Sequence, residues 1–422
     1  MSRETEDELE SQAERAQEAT PGGVSQPGGP WQERARRQYR EWTSPVREGL
    51  RQVRERFEGL PPVLRWVVIG ALIAAAAVVP FILNHTLGRT APYWGSIVTK
   101  IGIAALLALG LNVVVGFAGL LDLGYVAFFA VGAYSFAIVS GSSRYNIAVF
   151  NQEPNAAALK PTWHMYYWLF LFIAIAITTF SGVVLGAPTL RLRGDYLAIV
   201  TLGFGEIVRI TANNLTSITN GALGINQIPS PAINIGGLHY DFGLENAPYY
   251  WLLLGFIVVW IFLLRRIDAS RVGRAWAAIR EDEVAAAAMG VPTVQMKLLA
   301  FAMGAAVASV GGVIYASQIS FISPNTFQLF SSDFGSVIIL AMVVLGGMGG
   351  FAGPILGAAL IIFLPERFRA LGDSRFLVFG LVIILVMILR PQGLFPSRRR
   401  ARELGAGESR DESVYEVREH AR

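Results

Sequence analysis

The run LRLRGDYLAIVTLGFGEIVRI, residues 190–210, sets Asp195, Thr201, Glu206 and Arg209 in one largely apolar stretch. An ionised group surrounded by hydrocarbon is expensive unless it is paired. Arg209 lies three residues beyond Glu206, one helical turn away, so the two side chains can meet. Two readings stand for this pair: a structural ion pair, or a charge pair that takes part in gating. Just beyond this helix, Asn220, with Thr219, Gly221 and Gly224, forms a polar patch suited to an external mouth.

Asn112 and Asp122 are polar in a second way. They stand among Gly110, Gly116, Gly119, Gly124 and Gly132 in a strongly apolar region. Gly346, Gly347, Gly349, Gly350, Gly353 and Gly357, with Pro354, form a similar group. Small residues let membrane helices approach closely. Glycine and proline also permit unwound backbone where a cavity satisfies the freed groups, as at the solute sites of transporters. Helix packing and a solute path are both open for these groups.

The third feature is RVGRAWAAIREDEVAAAAMGVPTVQMKLLAF, residues 271–301, a charged segment between two apolar ones. A turn needs about five residues, yet some thirty separate the apolar runs here. The Ala-rich stretch holds neither Gly nor Pro, so propensity predicts one helix. Gly290 stops it, and Pro292 follows as a C-terminal signal. A rigid helix on the basic side of a membrane is a docking element.

Other chemistries are excluded. The chain contains no cysteine and four scattered histidines, His85, His164, His239 and His420, so no thiolate or clustered imidazole site is expected and no cofactor is implied. There is no GxxxxGK[ST] phosphate loop and no nucleophile triad. GFGEIV and GGMGG follow no strand, which rules out dinucleotide binding.

The elements that must position these residues are membrane helices. The 422 residues are 53% hydrophobic and 16% charged, against about 25% charged in soluble domains; mean hydropathy is +0.46. Charge is dense before residue 65 and after Pro391 and sparse between. The fold class is all-α, a polytopic helical membrane protein. Apolar runs are read at 66–84, 96–115, 120–140, 166–187, 196–211, 251–264, 296–316, 335–364 and 376–389. If LGGMGGFAGP divides 335–364 into two, ten crossings result, with eight as the alternative. The net charge of +4 and pI near 9.4 reflect arginines beside spans, not a nucleic-acid partner. The arginine bias puts both termini, Arg191, Arg193 and 265–280 in the cytoplasm, and loops 141–164 and 212–248 outside.

Three regions follow. Residues 1–62 are a cytoplasmic extension, expected to be disordered to about residue 30 and then either an amphipathic surface helix or a basic lead-in. Residues 63–395 are the transmembrane domain, with the docking segment at 266–294. Residues 396–422 are a charged cytoplasmic tail.

Several stretches together carry a family resemblance: LALGLNVVVGFAGLLDLGYVAFFAVGAYSFA, LRLRGDYLAIVTLGFGEIVRI, NGALGI, GRAWAAIREDEVAAAAMGV and VVLGGMGGFAGPILGA. The chain resembles the permease subunits of ABC importers for branched-chain amino acids, LivM-type rather than LivH-type, over about residues 95–395. The resemblance implies a transport permease with no catalysis of its own, set in the inner membrane. It implies a LivH-like second permease, two cytoplasmic ATPases and an external solute-binding protein as partners, besides the lipid bilayer. Leucine, isoleucine and valine are the implied substrates, with urea or a short amide as the alternative. An ion-coupled secondary transporter is the competing class, and it leaves the docking helix unexplained. On this resemblance Arg274, Arg280, Glu281, Asp282, Glu283 and Gly290 become ATPase-coupling candidates. Asn112, Asp122, Thr201, Glu206, Arg209 and Asn220 are candidates for the translocation path or its gating.

Overall fold

A computed structural model describes residues 62–140, 162–189, 195–235, 238–331 and 334–369, with a few positions between 374 and 394. The chain divides after Leu72. Of the first unit only 62–72, the opening turns of α1, lie among the described residues. The surface helix expected within 31–60, most of loop 141–164, Arg191, Arg193 and the charged tail lie outside them.

The helices are α1 (Pro62–Leu87), α2 (Ala91–Asn112), α3 (Val126–Val139), α4 (Thr162–Thr189), α5 (Asp195–Asn214), the single turn α6 (Thr216–Thr219), α7 (Asn246–Asp268), α8 (Arg271–Glu281), α9 (Glu283–Ala288), α10 (Thr293–Ile319), α11 (Ser336–Gly346) and α12 (Ala352–Arg367). A π-helical turn, Val113–Phe117, extends α2. Two short antiparallel ribbons join them: β1 (Ile225–Asn226) with β4 (Phe321–Ile322), and β2 (Ala232–Ile235) with β3 (Leu238–Asp241). The polar segment 211–248 thus carries small strands within an otherwise helical fold.

α2 is the axis of the fold. Every residue from Gly102 to Asn112 is buried. α10 packs against α4, α3 and α2, while α7, α11 and α12 close the rest of α2. Small residues make these approaches possible. A Cβ on Gly312 would collide with the carbonyl oxygen of Phe129, and one on Gly132 would lie 2.5 Å from Ser309 Cα. The outward faces of α4 and α7 are apolar: Phe172 and Phe180 are exposed on the first, Val259 and Phe262 on the second.

The count of ten crossings is not supported. Among the described residues four helices are long and apolar enough to cross a membrane, covering 91–117, 167–188, 246–268 and 293–319. α3 has 14 residues and α11 has 11. At 1.5 Å per residue they reach about 21 and 17 Å, short of a hydrocarbon core of about 30 Å. α5 is long enough, but its polar residues exclude it from the apolar set. What the described residues support is a multi-span helical fold, with these four long helices and shorter apolar stretches at 73–83, 126–139 and 336–346.

The run 335–364 is a helical hairpin. α11 stops at Gly346, and Gly347 and Gly349 take φ of 111° and 75°, a region that favours glycine. α12 then packs back on α11. The two approach so closely that a Cβ on Gly346 would strike the Gly353 carbonyl, and one on Gly357 the Met342 carbonyl. Overpacking of this kind costs about 1–3 kcal/mol or more. Gly357→Leu is therefore expected to lower the melting temperature of the purified permease by several degrees. Gly255→Ala, which meets nothing within 4 Å, serves as the control and should leave it unchanged. Equal melting temperatures for both would contradict the hairpin packing.

Candidate functional site

Broken helices free backbone groups, and buried backbone groups must find partners. The intramembrane polar residues supply them. Asn112 is fully buried; its Nδ2 donates to Gly350 O at 2.8 Å and its Oδ1 accepts from Gly349 N at 2.9 Å. It clamps the turn of the α11–α12 hairpin to the end of α2. The loop before α3 is held similarly. Thr201 Oγ1 accepts from Leu123 N at 3.0 Å and donates to Ala198 O at 3.0 Å. Ser336 Oγ accepts from Val126 N at 2.8 Å. Asp122 Oδ1 accepts from Gly124 N at 2.8 Å, while its buried Oδ2 has no hydrogen-bond partner among the described residues. Three of the six path candidates, Asn112, Asp122 and Thr201, therefore sit in the framework of the break.

The other three lie further out. Arg209 Nε donates to Glu206 Oε1 at 2.9 Å, and Nη2 bonds the same oxygen. The pair is half-buried, with side-chain exposures of 24% for Arg209 and 36% for Glu206. Asn220 takes a left-handed conformation, φ 61°, and its Nδ2 donates to Gly224 O at 2.9 Å. It shapes the turn that leads α6 into β1.

The charged segment 271–290 differs from the expected single helix. Ser270 caps α8, accepting from Val272 N at 3.1 Å. The helix then breaks at Asp282, whose backbone is extended, with φ −154° and ψ 110°. Asp282 Oδ1 accepts from Val284 N and Ala285 N at 2.8 and 3.0 Å and starts α9. Propensity missed this because Asp weakens a helix interior chiefly by offering a better cap. α9 ends as the sequence indicates: Gly290 has φ +82°, Val291 N donates to Ala286 O and Gly290 N to Ala287 O, each at 3.0 Å, a Schellman stop. Loss of an N-cap costs about 0.5–2 kcal/mol. Asp282→Ala is expected to speed amide exchange at Val284 and Ala285 while Ala278 keeps its protection. Unaltered exchange at 284 and 285 would refute the cap.

Side chains fasten the segment to the membrane helices. Trp276 is buried, and its Nε1 donates to Met296 O at 2.7 Å. Glu283 pairs with the buried Lys297 at 2.5 Å. Arg280 Nη1 donates to Gly116 O in the π turn at 2.8 Å. Its stem lies against Gly119, where a Cβ would collide with Arg280 Cγ. Arg280 and Glu283, two of the ATPase-coupling candidates, are thus engaged within the chain. Arg274 is exposed and donates to Ala269 O at 3.3 Å. The outward face carries Glu281, Asp282, Val284, Ala285, Ala287, Ala288, Met289, Gly290 and Val294. Met289 is 85% exposed and Val284 59%. This apolar knob was not singled out in the sequence, although Val284 and Met289 flank the run of four alanines there.

Among the described residues no group of three or more acidic, histidine or cysteine side chains could hold a metal.

Comparison with known proteins places this arrangement. A family model described as branched-chain amino acid transport system / permease component matches residues 93–390. The high-affinity branched-chain amino acid transport system permease protein LivM of Salmonella typhimurium is 38% identical over 367 residues, 82% of this chain and 78% of the relative. LivM of Escherichia coli K12 is 38% identical over 365 residues, with the same coverage. A probable branched-chain amino acid transport permease protein LivM of Methanocaldococcus jannaschii is 27% identical over 247 residues, 54% of this chain and 69% of the relative. No solved structure matches. With its polar groups engaged in bracing broken membrane helices and a fastened segment at one end, the chain is a transport permease rather than a catalytic enzyme, and it belongs to the permease components of branched-chain amino acid transport systems.

Proposed function

We propose that this chain is one of two permease subunits of an ATP-driven importer for leucine, isoleucine and valine in the inner membrane. Two cytoplasmic ATPases drive it, and an external solute-binding protein delivers the amino acid. The observation that carries this reading is the segment 270–291, capped at both ends and tied to α2 and α10. The names of its relatives supply the substrate. Arginine placement supports an orientation with both termini and this segment in the cytoplasm.

In this reading the knob of Val284, Met289 and Val294 docks on an ATPase, and Arg280 passes its movement to the π turn of α2. Buried apolar anchors carry most of the energy of an interface, and rim charges little. Met289→Asp is therefore expected to weaken retention of the ATPases at least tenfold in a pull-down, with Glu281→Ala close to wild type. Equal retention by both variants, with uptake intact, would remove the knob from the docking site.

Substrate class is tested on the binding protein that operates with this permease. Calorimetry with leucine, isoleucine, valine and urea should show tight binding of the three amino acids. Tight urea binding with no response to leucine would overturn the substrate and leave the permease assignment standing.

A further inference from the structure

We propose that the Glu206–Arg209 pair on α5 recognises the zwitterionic head of the transported amino acid, with the α-ammonium at Glu206 and the α-carboxylate at Arg209. The inference rests on the amino-acid importer reading above and assigns residues to its path.

The exposed face of α5 is aliphatic. Ile199, Ile207 and Ile210 are 64%, 63% and 45% exposed, and the ion pair sits in the middle of that stripe. α4 and α7 also expose apolar faces, but they differ in kind. α4 holds no Asp, Glu, Lys or Arg, and α7 holds its charges only at its basic end, Arg265, Arg266 and Asp268. Those are faces suited to lipid. A carboxylate and a guanidinium in mid-stripe are not, since an ionised group in hydrocarbon costs several kcal/mol even by the lowest scales. The α5 face therefore borders something polar.

Both bonds from Arg209 converge on Glu206 Oε1. Glu206 Oε2 and Arg209 Nη1 have no other bond among the described residues. An acceptor and a donor thus stand side by side, as an amino acid head requires. One turn earlier is Gly203. It has an ordinary negative φ, and a Cβ there would meet nothing within 4 Å. Glycine in a helix interior costs about 0.5–1 kcal/mol against alanine, and no packing among the described residues requires it. Gly205, two residues on, does face a neighbour, with Gly124 Cα 3.4 Å from its built Cβ. Gly203 leaves a notch beside the pair, and Ile199 and Ile207, one turn to either side on the same face, border it with exposed aliphatic surface. Opposite charges beside an aliphatic notch match an amino acid with an aliphatic side chain.

The test uses the complete complex, both permeases and both ATPases, nucleotide-free in nanodiscs and without the binding protein. Radiolabelled leucine is bound up to about 10 mM, the range of a site with few polar contacts. Leucinamide, which lacks the carboxylate, and 4-methylpentanoate, which lacks the ammonium, compete. The wild type should prefer leucine to either by at least tenfold. Arg209→Gln should abolish the preference over leucinamide alone, and Glu206→Gln the preference over 4-methylpentanoate alone. Gly203→Leu should weaken leucine tenfold or more with full recovery of the complex. A purely structural pair would not move these two preferences separately. Preferences unchanged in the variants, absence of leucine binding in the wild type, or loss of the assembled complex on neutralising either charge would overturn the proposal; the last would make the pair a contact with the second permease. ATP-driven leucine uptake by the wild-type complex with its binding protein is measured in parallel. If uptake is present and the preferences do not move, this inference alone fails. If uptake is absent, the importer reading fails.

Discussion

Arg280→Ala is expected to leave the ATPases bound and hydrolysing ATP while leucine uptake falls at least tenfold. The reason lies in what Arg280 touches. Its guanidinium donates to Gly116 O and its stem crosses Gly119, so it links α8 to the broken end of α2. Gly116 in turn packs against Asn112 and Gly349 N, 2.7 Å from its built Cβ. These contacts form a continuous path from α8 to the hairpin turn. A hydrogen bond from a charged group is worth about 1.5–3 kcal/mol, enough to shift a two-state equilibrium about tenfold or more. Arg280→Lys keeps the charge but presents a point donor instead of a fork, and uptake should fall less. The measurement is the ratio of leucine transported to ATP hydrolysed in proteoliposomes. An unchanged ratio in Arg280→Ala would show that movement does not travel through this side chain.

Asn112→Ala should abolish recovery of folded permease, or lower its melting temperature further than Gly357→Leu does. It strands Gly349 N–H and Gly350 C=O in a half-buried turn against the fully buried position 112. Each unsatisfied group costs about 1–3 kcal/mol, with a cavity added. Asn112→Asp keeps an acceptor for Gly349 N but turns a carboxylate oxygen towards Gly350 O, so it should not rescue. Size-exclusion recovery and thermal unfolding in detergent measure both variants. A folded Asn112→Ala permease with wild-type melting would mean that the turn holds without its clamp.

Much of this was legible in the residues, and the failures have physical causes. The apolar runs located the long helices because burial in membrane demands continuous hydrophobicity. The glycine and proline groups marked the close approaches, since only small residues permit them. Gly290 marked the end of α9 through its left-handed backbone. The break at Asp282 was hidden because a cap and a helix-interior Asp look alike until the following amides are placed. The short lengths of α3 and α11 were not legible because a run of apolar residues does not reveal where its helix stops. The internal bonds of Arg280 and Glu283 were not legible because their partners, Gly116 and Lys297, are remote in sequence or buried. The Glu206–Arg209 pairing was legible outright, because three-residue spacing on a helix fixes it locally.

The central claim is that this chain works as one permease of an ATP-driven amino-acid importer. The most direct measurement places the purified chain in proteoliposomes in two ways. One set contains the chain alone under an imposed ion gradient. The other contains the chain with its second permease, its ATPases and ATP inside, and its binding protein outside. Leucine should accumulate only in the second set, and the accumulation should be lost when ATP is withheld. Gradient-driven accumulation by the chain alone, or none by the complete complex with ATP, would contradict the claim.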